Sequence, residues 1–252
     1  MTMVDDSATK LRLKCKPWDS LTLLSGCACA FDSGQLPDQL VRQTWGWSSL
    51  RELLWHEVCS EYDARHFLAH SLRRGGSMSA DFSRFKDLWL AEENNHYLGF
   101  RRLYQRLTLM SETRLDRQLM DRAVSFHSMD FVVDEFSTCV LLAYDEMVTS
   151  RAYPLDYPIY DSFGDAALSR WIRKVCRDEV YHCCNVVAVL RRNHLERFDE
   201  IPSLIDEIAD ASPKSAAYGG TFALDHQGFP KELLGKAKAV VIKMLARPRG
   251  SP

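Results

Sequence analysis

The chain has 252 residues, of which 46% are hydrophobic and 26% charged, and its net charge is −2. That length suffices for one medium domain with a sizeable core, while the near-zero charge gives no global attraction to nucleic acid or to an acidic membrane surface. No apolar run approaches the roughly 20 residues that a membrane span needs, so a protein outside the membrane is expected.

The N-terminal stretch contains Leu24-Ser25-Gly26-Cys27, which has the form of a lipoprotein cleavage site. The apolar segment before it is short and Asp19 lies just upstream, so a secretory leader is not expected. The eight cysteines, at 15, 27, 29, 59, 139, 176, 183 and 184, form no zinc-binding framework. A chain of this length does not depend on disulfides, and reduced thiols in a cytoplasmic protein are expected.

From there the apolar spacing is helical. Leu50, Leu53, Leu54, Val58, Phe67 and Leu68 predict a helix over 48–73, broken at Gly75-Gly76. Phe82, Phe85, Trp89, Tyr97, Phe100 and Leu103 predict a second over 80–109, followed by a short piece at 113–125. Two more long helices are expected at 128–152, ahead of Pro154, and at 164–194. Pro202, Pro213, Gly219, Gly220 and Pro230 make the tail from 200 onward read as irregular chain with one last helix near 230–246. The expected fold is a single all-α domain with a four-helix core at about 48–195 and additional helices.

Two segments carry chemistry. Glu92-Glu93-Asn94-Asn95-His96 lies on the second long helix and Asp178-Glu179-Val180-Tyr181-His182 on the fourth. Residues three apart share a helix face, so each Glu-x-x-His presents a carboxylate and an imidazole to one point. In an apolar stretch an unpaired carboxylate costs several kcal/mol, and a bound cation removes that cost. The pattern repeats: Glu61 precedes Glu93 by 32 residues, and Glu146 precedes Glu179 by 33. A Glu from each of two helices and a Glu-x-x-His from each of two others is the ligand inventory of a di-iron carboxylate bundle. Four carboxylates offset two divalent ions, and mixed carboxylate and imidazole donors suit iron or manganese better than structural zinc. Glu57, one turn before Glu61, is the alternative first ligand, and His66 and His70 are expected to be surface or core residues.

At these residues the sequence resembles the soluble acyl-carrier-protein desaturases of the ferritin-like superfamily. Trp89-Leu-Ala-Glu-Glu-Asn-Asn-His96, Asp145-Glu146-Met-Val-Thr149 and Asp178-Glu179-x-x-His182 carry the likeness, which spans about 50–195. It departs at Asn95, where that family usually has a basic residue, at the short loop around Gly75-Gly76, and after about 200. The resemblance implies a ferritin-like bundle with two irons held by Glu61, Glu93, His96, Glu146, Glu179 and His182. It also implies a hydroxyl at Thr149 on the oxygen side and Asp178 hydrogen-bonded to His96; by internal symmetry Glu92 does the same for His182. A tryptophan near the N-terminus would reach the Asp–His pair: Trp18, or Trp45 or Trp47. The implied activity is O2-dependent oxidation, introducing a double bond or a hydroxyl group into an acyl chain held by an acyl carrier protein. The implied partners are an external electron donor such as a ferredoxin and a second copy of the chain. Phe131, Val132, Val133, Phe136, Val140 and Leu141 are either the lining of an acyl channel or bundle core. Two other readings are an N-oxygenase, argued against by Val175 where an extra His would stand, and a ferritin-like iron protein without catalysis.

Overall fold

The computed structural model describes residues 10–27, 50–74, 77–122, 132–210 and 229–246, and these form an all-α helical bundle. The elements are α1 (Ser20–Ser25), α2 (Leu50–Arg74), α3 (Ala80–Thr108), α4 (Glu112–Asp121), α5 (Glu135–Asp161), α6 (Ala166–Asn193), a 3₁₀ turn (Leu195–Glu200), α7 (Ile201–Asp210) and α8 (Lys231–Ala246). Helices α2 and α3 pack as one pair and α5 and α6 as the other, with α3 against α6 joining them. None of the described helices is long and apolar enough to cross a membrane. The described cysteines are free thiols; Cys29 lies outside the described residues.

Side-chain caps explain several helix starts. Ser79, Ser111, Asp134 and Asp165 each accept a hydrogen bond from a backbone N–H in the following turn, which satisfies a donor that the helix leaves unpaired. The capping box of Asp134 and Ser137 sets the start of α5 at Glu135, later than the expected 128. Its end also differs. Expected to stop at 152, α5 runs on through Pro154 and Pro158 to Asp161. A proline removes the bond to the carbonyl four residues earlier. For Pro154 that carbonyl belongs to Ser150, and the Cys176 thiol on α6 donates to it at 3.5 Å. The tail also departs from the expectation of irregular chain. Ile201, Ile205 and Ile208 bury one face of α7 against the bundle, and Pro202 sits in the first turn, where a missing N–H costs nothing.

The core falls into two apolar halves. One gathers Phe82, Phe85 and Trp89 of α3 with the middle of α5, the end of α6, α7 and α8. The other gathers α1, α2, the end of α3, α4 and the beginning of α6. Between them, at the middle of α3, α5 and α6, lies a layer of buried carboxylates and imidazoles.

The N-terminal segment is sewn onto this bundle by polar contacts. The Lys14 N–H donates to Asn185 Oδ1 at 2.7 Å and Asn185 Nδ2 donates back to the Lys14 carbonyl at 2.8 Å. The Ser20 N–H donates to Asn95 Oδ1 at 2.8 Å, and the Trp171 indole donates to Ser20 Oγ at 2.9 Å. Trp171 lies directly over Gly99, where an added Cβ would overlap the ring. Replacing a mid-helix glycine by alanine ordinarily gains about 1 kcal/mol. Here the indole, carried by α6, is fully buried against Phe100 of α3 and Tyr160 of α5 and bonded to Ser20 of α1, so moving it breaks these contacts. Gly99→Ala is therefore expected to lower stability by roughly 1–3 kcal/mol, measured as a shift of the urea midpoint; a gain in stability would mean that the ring relocates freely.

Candidate metal centre

Six side chains converge in the polar layer. Glu61 comes from α2, Glu93 and His96 from α3, Glu146 from α5, and Glu179 and His182 from α6. All are buried, His96 and His182 completely. Their ligand atoms form two groups, each drawn together within 4.8 Å: Glu93, Glu146, Glu179 and His182 in one, and Glu61, His96 and Glu179 in the other. Glu179 belongs to both. The two imidazoles lie 5.9 Å apart between ring centroids. Each aims Nδ1 at the carboxylates: His96 lies 3.3 Å from Glu179 and 3.6 Å from Glu61, His182 2.9 Å from Glu179, 3.1 Å from Glu93 and 3.3 Å from Glu146.

The opposite ring nitrogens point outward onto carboxylates. His182 Nε2 is 2.9 Å from Glu92, and His96 Nε2 is 3.5 Å from Asp178. A proton held at Nε2 by a carboxylate leaves Nδ1 as the lone-pair donor toward the cluster, the usual arrangement behind a metal-bound histidine. Asp178 is itself engaged on three sides. The Trp18 indole donates to it at 2.5 Å and Arg177 at 2.7 Å. Burial pushes Asp178 up, but His96, Trp18 and Arg177 outweigh it and hold the carboxyl below its ordinary value. Trp18 is thus the tryptophan that reaches the Asp–His pair; Trp45 and Trp47 lie outside the described residues. Glu61, not Glu57, stands in the cluster, and Glu57 is joined to it through Tyr153, whose hydroxyl lies 3.1 Å from Glu61 and 3.2 Å from Glu57. His66 packs on Tyr62 and takes no part in either group.

The electrostatics of the cluster's own side chains are those of an interior short of positive charge. Burial raises Glu93 well above the carboxylate range, and Glu61 and Glu179 raise it further. Burial likewise raises Glu146. For both histidines burial works downward but the carboxylates win, so His96 and His182 hold their protons well above the normal imidazole value. Even so, Glu61 Oε2, Glu93 Oε1 and His96 Nδ1 are buried with no hydrogen-bond partner among the described residues. Orphaned donors and acceptors in one place are expensive, and here all three face the cluster. The donor set fits two hard or borderline divalent ions.

Two features of the site are not legible in the sequence. Trp89 donates its indole N–H to Glu146 Oε1 at 2.6 Å, leaving the other oxygen toward His182. Tyr153 lies just beyond the helix end expected ahead of Pro154, which hides its periodicity with Glu146. Thr149 is half-buried one turn from Glu146 and lines a cavity of about 50 Å³ between α2 and α5 that opens onto the cluster. The alternative of an acyl channel at 131–141 resolves into core. Val132, Phe136, Val140 and Leu141 are buried in the bundle, Val133 is 51% exposed, and Phe131 lies outside the described residues.

Asp156 lines the same cavity. It is 6% exposed and burial pushes its carboxyl up to about 7. A carboxyl raised by folding makes the folded state bind its proton more tightly, so stability falls as pH rises from the unfolded value of 3.8 to about 7. Glu57 and His56 line the same cavity from α2, and Tyr153 and Tyr160 lie three residues before and four after Asp156 on α5. In metal-free protein Asp156→Asn should gain up to a few kcal/mol above about pH 7 and almost nothing near pH 4, on the order of 1.4 kcal/mol for each tenfold change in proton affinity. Thermal melts at the two pH values check this; an equal gain at both would mean that charge burial is not the cause.

No protein-family model, curated protein or solved structure matches this chain.

Proposed function

We propose that the chain is a dioxygen-dependent di-iron oxidase. The observation that carries the reading is the pair of ligand groups sharing Glu179, backed by imidazoles whose outer nitrogens are anchored on Glu92 and Asp178. Two irons held there would supply activation of O2 and oxidation of an otherwise unreactive bond.

The protein's own share of the work follows from its side chains. The four glutamates and two imidazoles hold the charge, and the two apolar core halves on either side keep water from the cluster. Trp89 fixes the orientation of Glu146. Asp178 and Glu92 set the ring orientation of the histidines and keep a proton on their outer nitrogens. Trp18, pinned by the N-terminal segment and 6.2 Å from the His96 ring, connects the cluster to the surface, where an external electron donor would dock. The resemblance to acyl-carrier-protein desaturases offers a carrier-bound acyl substrate, a ferredoxin-type donor and a homodimer as the accompanying proposals. The catalytic role of Thr149 belongs with them, supported by its place on the cavity wall.

Anaerobic loading with ferrous iron is the test. About two irons per chain are expected, with clear loss in Glu146→Ala and in Glu179→Ala. Removing one of several crowded buried carboxylates does not leave an unpaired opposite charge, so both variants should remain folded by circular dichroism. Reduced, loaded enzyme should then consume O2. A product lacking two hydrogens marks a desaturase and one with an added oxygen a hydroxylase. Wild-type protein that retains no iron, or variants that retain as much as wild type, would end the oxidase reading.

A further inference from the structure

A second cavity reaches the ligand layer from between α2 and α3. Its volume is about 160 Å³, and it is lined by Glu61, Ala64 and Arg65 of α2 and Leu90, Glu93 and Asn94 of α3. Glu61 and Glu93, both members of the ligand set, form its buried end, while Arg65 and Asn94 form its exposed end. From Glu61 to Arg65 is one turn of α2, about 6 Å at 1.5 Å per residue. An apolar hole of about 150 Å³ holds benzene, so the space suits a molecule with an apolar body of about six carbon atoms.

The arginine at the mouth is arranged in an unexpected way. Glu61 precedes Arg65 by four residues on one helix face, a spacing that favours an ion pair. The pair is not made. Glu61 turns inward toward His96 and Tyr153, and the Arg65 guanidinium lies over the Tyr62 and Tyr97 rings, 4.6 and 5.5 Å from their centroids. Among the described residues it meets no carboxylate. Stacking on aromatic faces holds the planar group in place while its N–H fork stays available. A guanidinium is thus preorganised at the mouth of a cavity that ends on two members of the ligand set.

We propose that this cavity binds a small organic acid, with its carboxylate on Arg65, its apolar body against Leu90 and its far end at Glu61 and Glu93. An arginine fork matches a carboxylate with two parallel hydrogen bonds, and the Asn94 amide at the rim offers a further donor. One cation matches a monocarboxylate, whereas an amine of the same size would meet like charge at Arg65. A long acyl chain overfills the space. A metal ion would find an arginine where it needs ligands. With two irons in the layer, the carbon nearest Glu61 and Glu93, a few bonds from the carboxylate, is the one placed for oxidation. That placement rests on the di-iron reading; capture of the carboxylate does not.

Calorimetry on the metal-free full chain uses benzoate as the probe, with benzyl alcohol and benzylammonium as comparators of nearly equal size. Benzoate should bind about tenfold or more tightly than either, the worth of a charge-assisted hydrogen bond. Arg65→Met keeps an apolar stem on a helix surface but should lose the preference. Arg65→Lys, a point charge without the fork, should keep part of it. Leu90→Trp fills the cavity and should abolish benzoate binding in protein that remains folded by circular dichroism, an effect that capture by surface charge alone would not show. Equal affinity for the alcohol, or unchanged benzoate binding in Arg65→Met or Leu90→Trp, would overturn the proposal. Displacement of benzoate by an equal concentration of chloride would overturn it too, leaving an adventitious ion only. A preference for benzoate without iron uptake would sink the oxidase reading alone; iron uptake without that preference would sink this one alone.

Discussion

The constraint on which the structure depends is the crowding of four buried glutamates around one point with only two imidazoles among them. In water such groups would stay apart. Inside the bundle they are held by the helices that bear them, and each carboxylate raises the cost of ionising the next. The chain meets part of that cost with protons on His96 and His182, and three ligand atoms have no hydrogen-bond partner among the described residues. A bound cation would relieve an arrangement so unfavourable on its own.

Holding the cluster open rather than collapsed is the task of the surrounding residues. Each histidine is pulled outward by a carboxylate, and Trp89 and Tyr153 each claim one oxygen of a ligand glutamate. The layer is therefore braced from both pairs of helices at once. Gly99 and Trp171 set how closely α3 approaches α6 one turn beyond His96, and the N-terminal segment reaches Asp178 only because Asn95, Asn185 and Trp171 tie it down. The apolar halves of the core above and below the layer supply the cohesion that offsets its cost.

The long helices and the ligand set are legible in sequence because both rest on short-range periodicity. A Glu-x-x-His needs only a helix to bring its two members together, and the spacings of 32 and 33 residues show which helices pair. Features that depend on distant partners are not legible. Pro154 reads as a terminator until Cys176, on the neighbouring helix, is seen to satisfy the carbonyl it frees. Pro202 reads as loop until Ile201, Ile205 and Ile208 find the bundle. Trp18 cannot be told from Trp45 and Trp47 because its link to Asp178 spans 160 residues. The two departures at prolines share one cause: a rule about local backbone gives way where tertiary contacts repair the defect. The extension of α5 matters most, since it carries Tyr153 and Asp156.

That extension also joins fold to function. Had the helix ended before Pro154, the stripe that begins at Glu146 would stop at Thr149, and the cavity would have no outer wall on that side. Continuing through two prolines weakens the helix, and carrying a buried aspartate between them weakens the fold again. Both costs fall on the same two turns. What the continuation carries is Tyr153, whose hydroxyl lies 3.1 Å from Glu61 and 3.2 Å from Glu57 and so braces the ligand layer from α5.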